Sequence, residues 1–304
     1  MKKLRIIIFK VEHGFCSFIK TPNNYTILID CGATESFSPI KYILDNELND
    51  VSLYNNRKLT RFILTHPHDD HLTDIERLKN ELPPAIILRQ KYVWGDVKVS
   101  EDGDYEKLDT YVELQEIYNT PIVNPPDWGM DLGHGAYFSP EEAKKIDANK
   151  FINNSSIPTI LKYSNFKIIF PGDLEKAAWL ELLKKQNFKE GIKGGSFFVA
   201  SHHGHSSGYC KEIFDAMGKP YFNIISTHSG DDSVEKAYSS SDLAIGVDYD
   251  GQKRYMFSTR CDGNLLIEIE ENGRCTFEFL ELEDNIDKEK TPSIFSLWDP
   301  ITLR

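Results

Sequence analysis

The stretch Thr65-His66-Pro67-His68-Asp69-Asp70-His71 follows the apolar residues Phe62-Ile63-Leu64 and holds three histidines and two aspartates in seven residues. In an extended chain, side chains two residues apart point the same way, so His66 and His68 can bind one ion together. As the chain turns toward the next helix, Asp70 and His71 swing to the far side and can reach a second ion. Imidazole and carboxylate donors without thiolate suit Zn²⁺, Mn²⁺ or Fe²⁺ and leave positions open for water. This density of ligand types disfavours the alternative, a polar loop whose histidines only cap a helix.

One cluster cannot complete two metal sites, and other strand ends offer further ligands. Asp173 follows the apolar run 166–170, where it can bridge two ions or, as the alternative, serve as the N-cap of a helix beginning at Leu174. His228 follows the predicted strand 221–226, either as a site residue or as an ordinary loop histidine.

The predicted strand 197–200 leads into Ser201-His202-His203-Gly204-His205-Ser206-Ser207. Its glycine lets the backbone approach a ligand closely, and its hydroxyl groups suit contacts to phosphate. A solvated loop is the alternative interpretation, and three histidines at a strand end favour metal binding over it.

Composition excludes several classes of protein. The chain has 304 residues, of which 40% are hydrophobic, so it can bury a sizeable core and is not disordered. Its formal net charge of −12 argues against strong non-specific binding to duplex DNA, which requires a basic surface.

The cysteines and apolar runs indicate a cytoplasmic protein. The five cysteines lie far apart without a C-x-x-C pair, as is typical of reduced intracellular thiols. No apolar stretch approaches the roughly 20 residues of a membrane helix. The N-terminal apolar run covers only Ile6 to Phe9, short of the about 7–15 residues of a signal peptide, so it predicts a first β-strand.

Hydrophobic periodicity and turn residues predict an α/β (α+β) fold of layered αβ/βα type. Strands are predicted at 5–9, 16–20, 26–30, 62–64, 159–163, 166–170, 197–200, 221–226 and within 254–282, and helices at 38–48, 73–82, 174–186 and 211–217. The spacing Thr73-x-x-Glu76 predicts a capping box at the start of the second helix. We expect a single domain over 1–282 with an irregular elaboration at about 93–134, followed by a C-terminal tail over 283–304.

Taken in order, these motifs resemble the metallo-β-lactamase superfamily and, within it, the ComEC-like branch, which contains the hydrolase domain of the competence DNA-uptake protein. The motifs that carry the resemblance are Val11–Cys16, Thr26–Gly32, the HxHxDH pattern of His66–His71, Asn153–Ser156, Pro171–Asp173, His202–His205 and Ser258–Gly263. The resemblance implies a four-layer αβ/βα metallo-β-lactamase sandwich. Departures are found at Glu12 and His13, Phe15, Leu72-Thr73 and His205, and they affect the shape of the pocket rather than the ligand set.

The resemblance implies a role for each site residue and two divalent transition-metal ions, Zn or Mn, as cofactors. His66 and His68 are expected to bind the first ion. Asp70, His71 and His202 are expected to bind the second ion, with His203 as the next candidate after His202. Asp173 is expected to bridge the two ions. Asp30 is expected to orient a ligand histidine. Asn153 is expected to face the first ion or the substrate, His228 to contact a phosphate oxygen or protonate the leaving group, and His203, His205 and Ser206 to bind substrate.

The resemblance further implies hydrolysis of a phosphodiester by water activated between the two ions. We expect the substrate to be a short or single-stranded nucleic acid, a small or cyclic nucleotide, or a choline-phosphate-type ester, without a membrane partner. One alternative is hydrolysis of a lactam, lactone or thioester by the same ions. Another is a regulatory module that binds metal without catalysis, although no expected ligand is missing from the sequence.

Overall fold

The computed structural model of the protein describes residues 2–100, 105–118, 120, 122, 124–228, 233–280 and 301–303. The strands are β1 (Lys3–Ile8), β2 (Ser17–Lys20), β3 (Thr26–Ile29), β4 (Arg61–Ile63), β5 (Ile86–Leu88), β6 (Asp131–Gly133), β7 (Thr159–Tyr163), β8 (Phe166–Phe170), β9 (Phe197–Val199), β10 (Phe222–Ile225), β11 (Val247–Tyr249), β12 (Gln252–Arg254), β13 (Met256–Ser258), β14 (Asn264–Glu270), β15 (Cys275–Leu280) and β16 (Ile301–Leu303). The α-helices are α1 (Pro39–Asn46), α2 (Ile75–Glu81), α3 (Trp94–Ser100), α4 (Glu106–Glu116), α5 (Pro140–Ile146), α6 (Phe151–Asn154), α7 (Lys176–Leu182), α8 (Gln186–Ile192), α9 (Lys211–Met217) and α10 (Thr259–Asp262).

The strands form two large sheets and a small ribbon. One sheet has the order β16-β15-β14-β1-β2-β3-β4-β5, the other has the order β13-β10-β9-β8-β7-β6, and β11 pairs with β12. The mixed α/β fold predicted from the sequence is therefore confirmed.

Alternation of side chains along the strands separates two hydrophobic clusters. Ile6 and Ile8 of β1 lie in one cluster together with Ile168 of β8 and Phe222 of β10, so this cluster fills the space between the two large sheets. Ile7 between them lies in the other cluster, which contains the buried faces of the helices. This is the period of two that a strand buried on both faces requires, and it produces the helix–sheet–sheet–helix layering.

Most predicted elements are confirmed within a few residues, but the capping box is wrong. Helix α2 begins at Ile75, and the residue at its N-cap is Asp74, whose side chain makes no capping hydrogen bond. Asp74 instead accepts hydrogen bonds from Ser38 Oγ (2.5 Å) and Ile40 N (3.2 Å) at the start of α1. Thr73 Oγ1 donates to the carbonyl of Asp69, so this hydroxyl is used within the preceding turn.

The segment 93–134 is more regular than predicted. It contains α3, α4 and β6, and β6 extends the second sheet by pairing with β7. The polar surface of α4 obscured its helical period, because only one narrow face of that helix is buried. In the predicted tail, 283–300 lies outside the described residues, whereas Ile301–Leu303 adds a strand beside β15.

Because several strands are parallel, their C-terminal ends lie at one edge of the sandwich. β3, β4 and β5 run parallel in the first sheet, and β8, β9 and β10 run parallel in the second. Since the residues after parallel strands emerge at the same edge, the clusters that follow β4, β8, β9 and β10 are brought together.

The cysteines and the helix lengths are as follows. All five cysteines are unpaired. Among the described residues, the helices are too short and too polar to span a bilayer.

Candidate metal centre

Imidazole and carboxylate groups from both sheets converge where these strands end. The turn after β4 supplies His66, His68, Asp70 and His71, the loop after β8 supplies Asp173, and the turn after β9 supplies His202 and His203. The structure therefore brings together all six predicted metal ligands, and it adds His203 to them.

A first group consists of His66, His71 and Asp173, which are all buried and have donor atoms within 4.8 Å of one another. His66 Nε2 lies 3.8 Å from Asp173 Oδ2, and His71 Nε2 lies 3.5 Å from Asp173 Oδ1. His68 joins this group, because its Nδ1 is 3.0 Å from His66 Nε2.

A second group lies on the other side of His71. Asp70 Oδ2 is 3.1 Å from His203 Nε2 and 3.7 Å from His71 Nε2. Asp173 Oδ2 is 3.4 Å from His203 Nε2, so the Asp173 carboxylate faces both groups. Asp173 does not cap a helix: α7 begins at Lys176, and its N-cap residue is Glu175.

Asp30 fixes the orientation of two histidines. Its Oδ2 accepts hydrogen bonds from His71 Nδ1 (2.7 Å) and Thr65 Oγ1 (2.8 Å), and its Oδ1 accepts one from Thr65 N (2.7 Å). Because the Thr65 hydroxyl donates to Asp30, it can accept from His66 Nδ1, which lies 3.1 Å away. The Nε2 atoms of both histidines are left to face the centre.

His202 and His203 occupy consecutive left-handed conformations, with φ of 52° and 54°. Such backbone is sparsely populated by residues other than glycine and is concentrated at functional sites. His203 Nδ1 donates to the carbonyl of Ser226 (3.1 Å), which directs Nε2 into the second group. His202 Nδ1 lies 2.9 Å from Ser207 Oγ, and its Nε2 is 3.9 Å from Asp173.

Asn153 lies behind His202. Its Nδ2 donates to Glu175 Oε1 (3.1 Å), and the same oxygen is 3.7 Å from His202 Nδ1. Asn153 Oδ1 is buried without a hydrogen-bond partner among the described residues, and such an atom is a candidate to receive a substrate or ion.

The remaining predicted substrate residues lie in the loops after β9 and β10. His205 Nδ1 accepts from Ser207 N (3.1 Å), and the carbonyl of Ser206 accepts from Tyr209 N (3.3 Å). His228 follows β10, the parallel neighbour of β9, and its ring centre lies 5.6 Å from that of His13.

The charges at the centre match those of a site that binds cations. Burial alone would lower the pKa of His203, but Asp173 and Asp70 outweigh burial and raise it to about 10. The pKa of Asp173 is correspondingly held well below its ordinary value by His203 and His71, against the effect of its own burial. Without metal, these carboxylates are charged and hold protons on nearby imidazoles, which a divalent ion would displace.

His13 is a site residue that the sequence analysis missed. Its Nε2 lies 4.0 Å from Asp70 Oδ2, and it forms a group of donors within 4.8 Å with Asp70 and His203. Its position after the apolar strand β1, in a turn containing Gly14, was the available signal, because that turn reaches the same edge as the histidine cluster.

A family model described as "Metallo-beta-lactamase superfamily" matches residues 10–94, which is less than a third of the chain. The matched segment includes strands β2 to β5 and the His66–His71 cluster that follows β4. This cluster supplies ligands to both groups of donors. The mixed α/β architecture is consistent with the metallo-β-lactamase fold. No curated protein is significantly similar to its sequence.

Several solved structures are similar to this chain at low identity. The metallo-beta-lactamase fold protein YhfI from Bacillus subtilis is 12% identical over 76% of this chain and 89% of its own, with a TM-score of 0.42. The isothiocyanate hydrolase from Delia radicum gut bacteria is 12% identical over 83% of this chain and 95% of its own, with a TM-score of 0.41. A long form RNase Z from yeast is 12% identical over 87% of this chain and 42% of its own, with a TM-score of 0.41. At these scores, neither the substrates nor the metals of these proteins are transferred to this chain.

The donor set of this chain fits a pair of divalent ions. The donors are buried, they consist of imidazole and carboxylate, and they form two groups that share His71 and Asp173. Such donors suit Zn²⁺ or Mn²⁺. The identity of the metal stays a prediction. Membership of the ComEC-like branch also stays a prediction.

Proposed function

We propose that the protein is a metal-dependent hydrolase whose two ions are held at this centre. The observation that carries the proposal is the convergence of two donor groups from both sheets on the Asp173 carboxylate. A purely structural site would be closed by four ligands around one ion, whereas these donors are divided between two positions.

We assign the first ion to His66, His68 and Asp173, and the second ion to Asp70, His71, Asp173 and His203. The last ligand is the one point at which this assignment differs from the expectation for His202. His203 Nε2 faces both carboxylates at 3.1 and 3.4 Å, whereas His202 Nε2 faces one carboxylate at 3.9 Å. Metal stoichiometry of His203→Ala beside His202→Ala tests this choice, and the larger loss is expected for His203→Ala.

The residues of this chain prepare the chemistry. Two divalent ions, when bound, supply an activated water and neutralise charge on the substrate oxygens. Asp30 holds His71 and, through Thr65, His66 with their Nε2 atoms toward the centre. We assign protonation of the leaving oxygen to His228, which lies in the loop after β10.

The substrate class that we favour is a phosphodiester, in a short nucleic acid or a small nucleotide. The support is the resemblance of the motifs and the imidazole and hydroxyl groups of His13, His205, Ser206 and His228, which belong to loops that border the centre. Such hydrogen-bond donors suit an anionic ester better than a neutral amide. The net charge of −12 favours a short substrate over long duplex DNA.

The test uses the Mn²⁺- or Zn²⁺-loaded protein on bis(p-nitrophenyl) phosphate, a cyclic dinucleotide and a short single-stranded oligonucleotide, beside nitrocefin and a thioester. Asp70→Ala is expected to reduce turnover by at least about 10–100-fold, because it removes a ligand of the second ion and even loss of an outer partner of a ligand costs that much. Asp69→Ala is the matched control, because Asp69 is exposed and paired with Lys107 (2.7 Å) away from the centre.

The outcomes separate the alternatives. Turnover of nitrocefin or the thioester without turnover of any phosphodiester would favour a carbonyl substrate. Two bound ions without turnover of any of these substrates would favour a regulatory module. Absence of bound metal at these residues would contradict the proposal as a whole.

A further inference from the structure

The turn between β1 and β2 packs closely against the backbone of Asp70. Glu12 has a φ of 57° and Gly14 a φ of 139°, both in regions that side chains disfavour. A Cβ atom on Gly14 would lie 2.4 Å from the carbonyl oxygen of Asp70, so only glycine allows this approach. Ser226 Oγ also donates to the carbonyl of Gly14 (2.7 Å), which fastens the turn to the second sheet.

This turn places the His13 side chain beside the centre. His13 Nε2 lies 4.0 Å from Asp70 Oδ2, and the His13 ring centre is 4.9 Å from that of His203. Donor atoms of these three residues all lie within 4.8 Å of one another. Strained backbone that aims a side chain at a cluster of ligand atoms points to a functional role.

We propose that His13 is an additional ligand of the second metal ion, bound beside Asp70 and His203. The inference rests on the proposed two-metal centre and adds a ligand to it. Ligand atoms lie about 2.0–2.2 Å from an ion such as Zn²⁺, so two of them are at most about 4.2 Å apart. The 4.0 Å between His13 and Asp70 falls within that limit without a change in the backbone.

The exposure of His13 gives this ligand a distinct task. Its side chain is 57% exposed, whereas those of His71, His203 and Asp173 are 1%, 4% and 5% exposed. His13 can therefore leave the ion by side-chain rotation, while the buried ligands cannot move without opening the core. It holds the second ion in the resting protein and yields its position to a substrate oxygen.

The experiment measures metal binding rather than turnover. Wild type, His13→Ala and the control His228→Ala are loaded with Zn²⁺ in competition with a chromophoric chelator, and separately with Co²⁺ for visible absorption spectra. His228 is the matched control, because its ring also adjoins His13 but it is not part of the group of donors.

For His13→Ala we expect the weaker of the two ions to bind at least about tenfold less tightly, because even loss of an outer partner of a ligand costs 10–100-fold in affinity. Its Co²⁺ absorption should intensify, since loss of a ligand lowers the coordination number. His228→Ala should match wild type in both measurements.

Wild-type affinity and an unchanged Co²⁺ spectrum in His13→Ala would overturn the inference while leaving the two-metal centre intact. A raised KM for bis(p-nitrophenyl) phosphate alongside that result would place His13 on the substrate instead. A wild-type protein that binds no metal at these residues would overturn this inference and the proposed function together.

Discussion

Asp30 accepts three hydrogen bonds from Thr65 and His71 and adopts a left-handed φ of 55°. Asparagine tolerates this conformation but offers one acceptor oxygen where aspartate offers two. Asp30→Asn should therefore keep the fold and weaken metal binding by about 10–100-fold, as loss of a carboxylate behind a ligand histidine does. Chelator competition measures the affinity. Asp74→Asn, which changes a carboxylate that bonds Ser38 and Ile40 away from the centre, should bind metal as wild type does.

His228 can be tested through the leaving group. If His228 donates a proton to the departing oxygen, His228→Ala should retain both ions and lose about 10²–10⁴-fold in rate on an alkyl phosphodiester. The loss should be smaller on a p-nitrophenyl ester, whose leaving group needs no proton. Equal losses on both esters would indicate that His228 positions phosphate, and unchanged rates would leave it an ordinary loop residue.

For single residues, the sequence predicts which side chains form the candidate site better than it predicts where each side chain points. The density of ligands in His66–His71 indicated two groups of donors, and the structure contains two. The sequence could not rank His202 against His203, because two consecutive left-handed residues turn their side chains in ways that no local pattern encodes. His13 was missed because its approach to Asp70 depends on a tertiary contact of Gly14.

The turn Glu12–Gly14 acts as one element, and Gly14→Ala should disturb it. The new Cβ would meet the Asp70 carbonyl at 2.4 Å and the backbone would be strained, at a cost of about 1–3 kcal/mol or more. We expect a lower free energy of unfolding together with weaker metal binding, because Asp70 must move. Gly251→Ala is the matched control: its φ is +69°, but no atom lies within 4 Å of an added Cβ, so only stability should fall.

His134, just after β6, makes stability depend on pH. Burial and the adjacent Arg61 guanidinium lower its pKa from 6.5 to about 4, and Arg61 Nη1 lies 3.4 Å from His134 Nε2. The unfolded chain takes up this proton below pH 6.5, whereas the folded chain does not until about pH 4. Stability is therefore lost as the pH falls through that window, by on the order of 3 kcal/mol at most.

Urea unfolding at several pH values, for metal-free wild type beside His134→Gln, isolates this contribution from that of other titrating groups. The variant should lose less stability between pH 7 and pH 4. An identical loss in both proteins would show that His134 does not carry the effect.

Elements with continuous, buried apolar runs were predicted well, as for β1, β2 and β3. The predictions failed where polar residues mask the hydrophobic periodicity of a helix. They also failed where a side chain that could cap a helix hydrogen-bonds to another group. The α4 helix has one narrow buried face, and Thr73 bonds to Asp69 instead of capping α2. Strand β16 is stabilised by its pairing with β15, which three residues of sequence do not reveal.

For the whole molecule, metal should act as a link between the sheets. The ligands follow β4 in one sheet and β8 and β9 in the other, so ion binding favours the assembled sandwich over the unfolded chain. At free metal about 100 times above the dissociation constant, the gain is about 2.7 kcal/mol per ion, or roughly 4 °C in Tm for a chain of 304 residues. Calorimetry with and without a chelator measures it, and Asp173→Ala, which removes the shared carboxylate, should show a much smaller difference. An equal Tm of wild type with and without chelator would contradict this link.

The layered αβ/βα architecture could be predicted from the sequence because binary patterning determines which faces are buried. The strand order could not be, because β1 pairs with both β2 and the distant β14. Such long-range pairing is selected by the closure of the whole core and leaves no trace in a short window of residues.

The spacing of the ligands along the chain has a consequence for biosynthesis. His71 and His203 are 132 residues apart, so a ribosome adding about 5–20 residues per second exposes the first ligands roughly 10 s before the last. For most of that interval the nascent chain offers His13 and the ligands His66, His68, Asp70 and His71, without the Asp173 carboxylate that joins the two groups. Strand β14, which flanks β1, is made later still. The ion that the finished protein retains is therefore selected after translation, from the metal supply of the compartment in which the chain completes its folding.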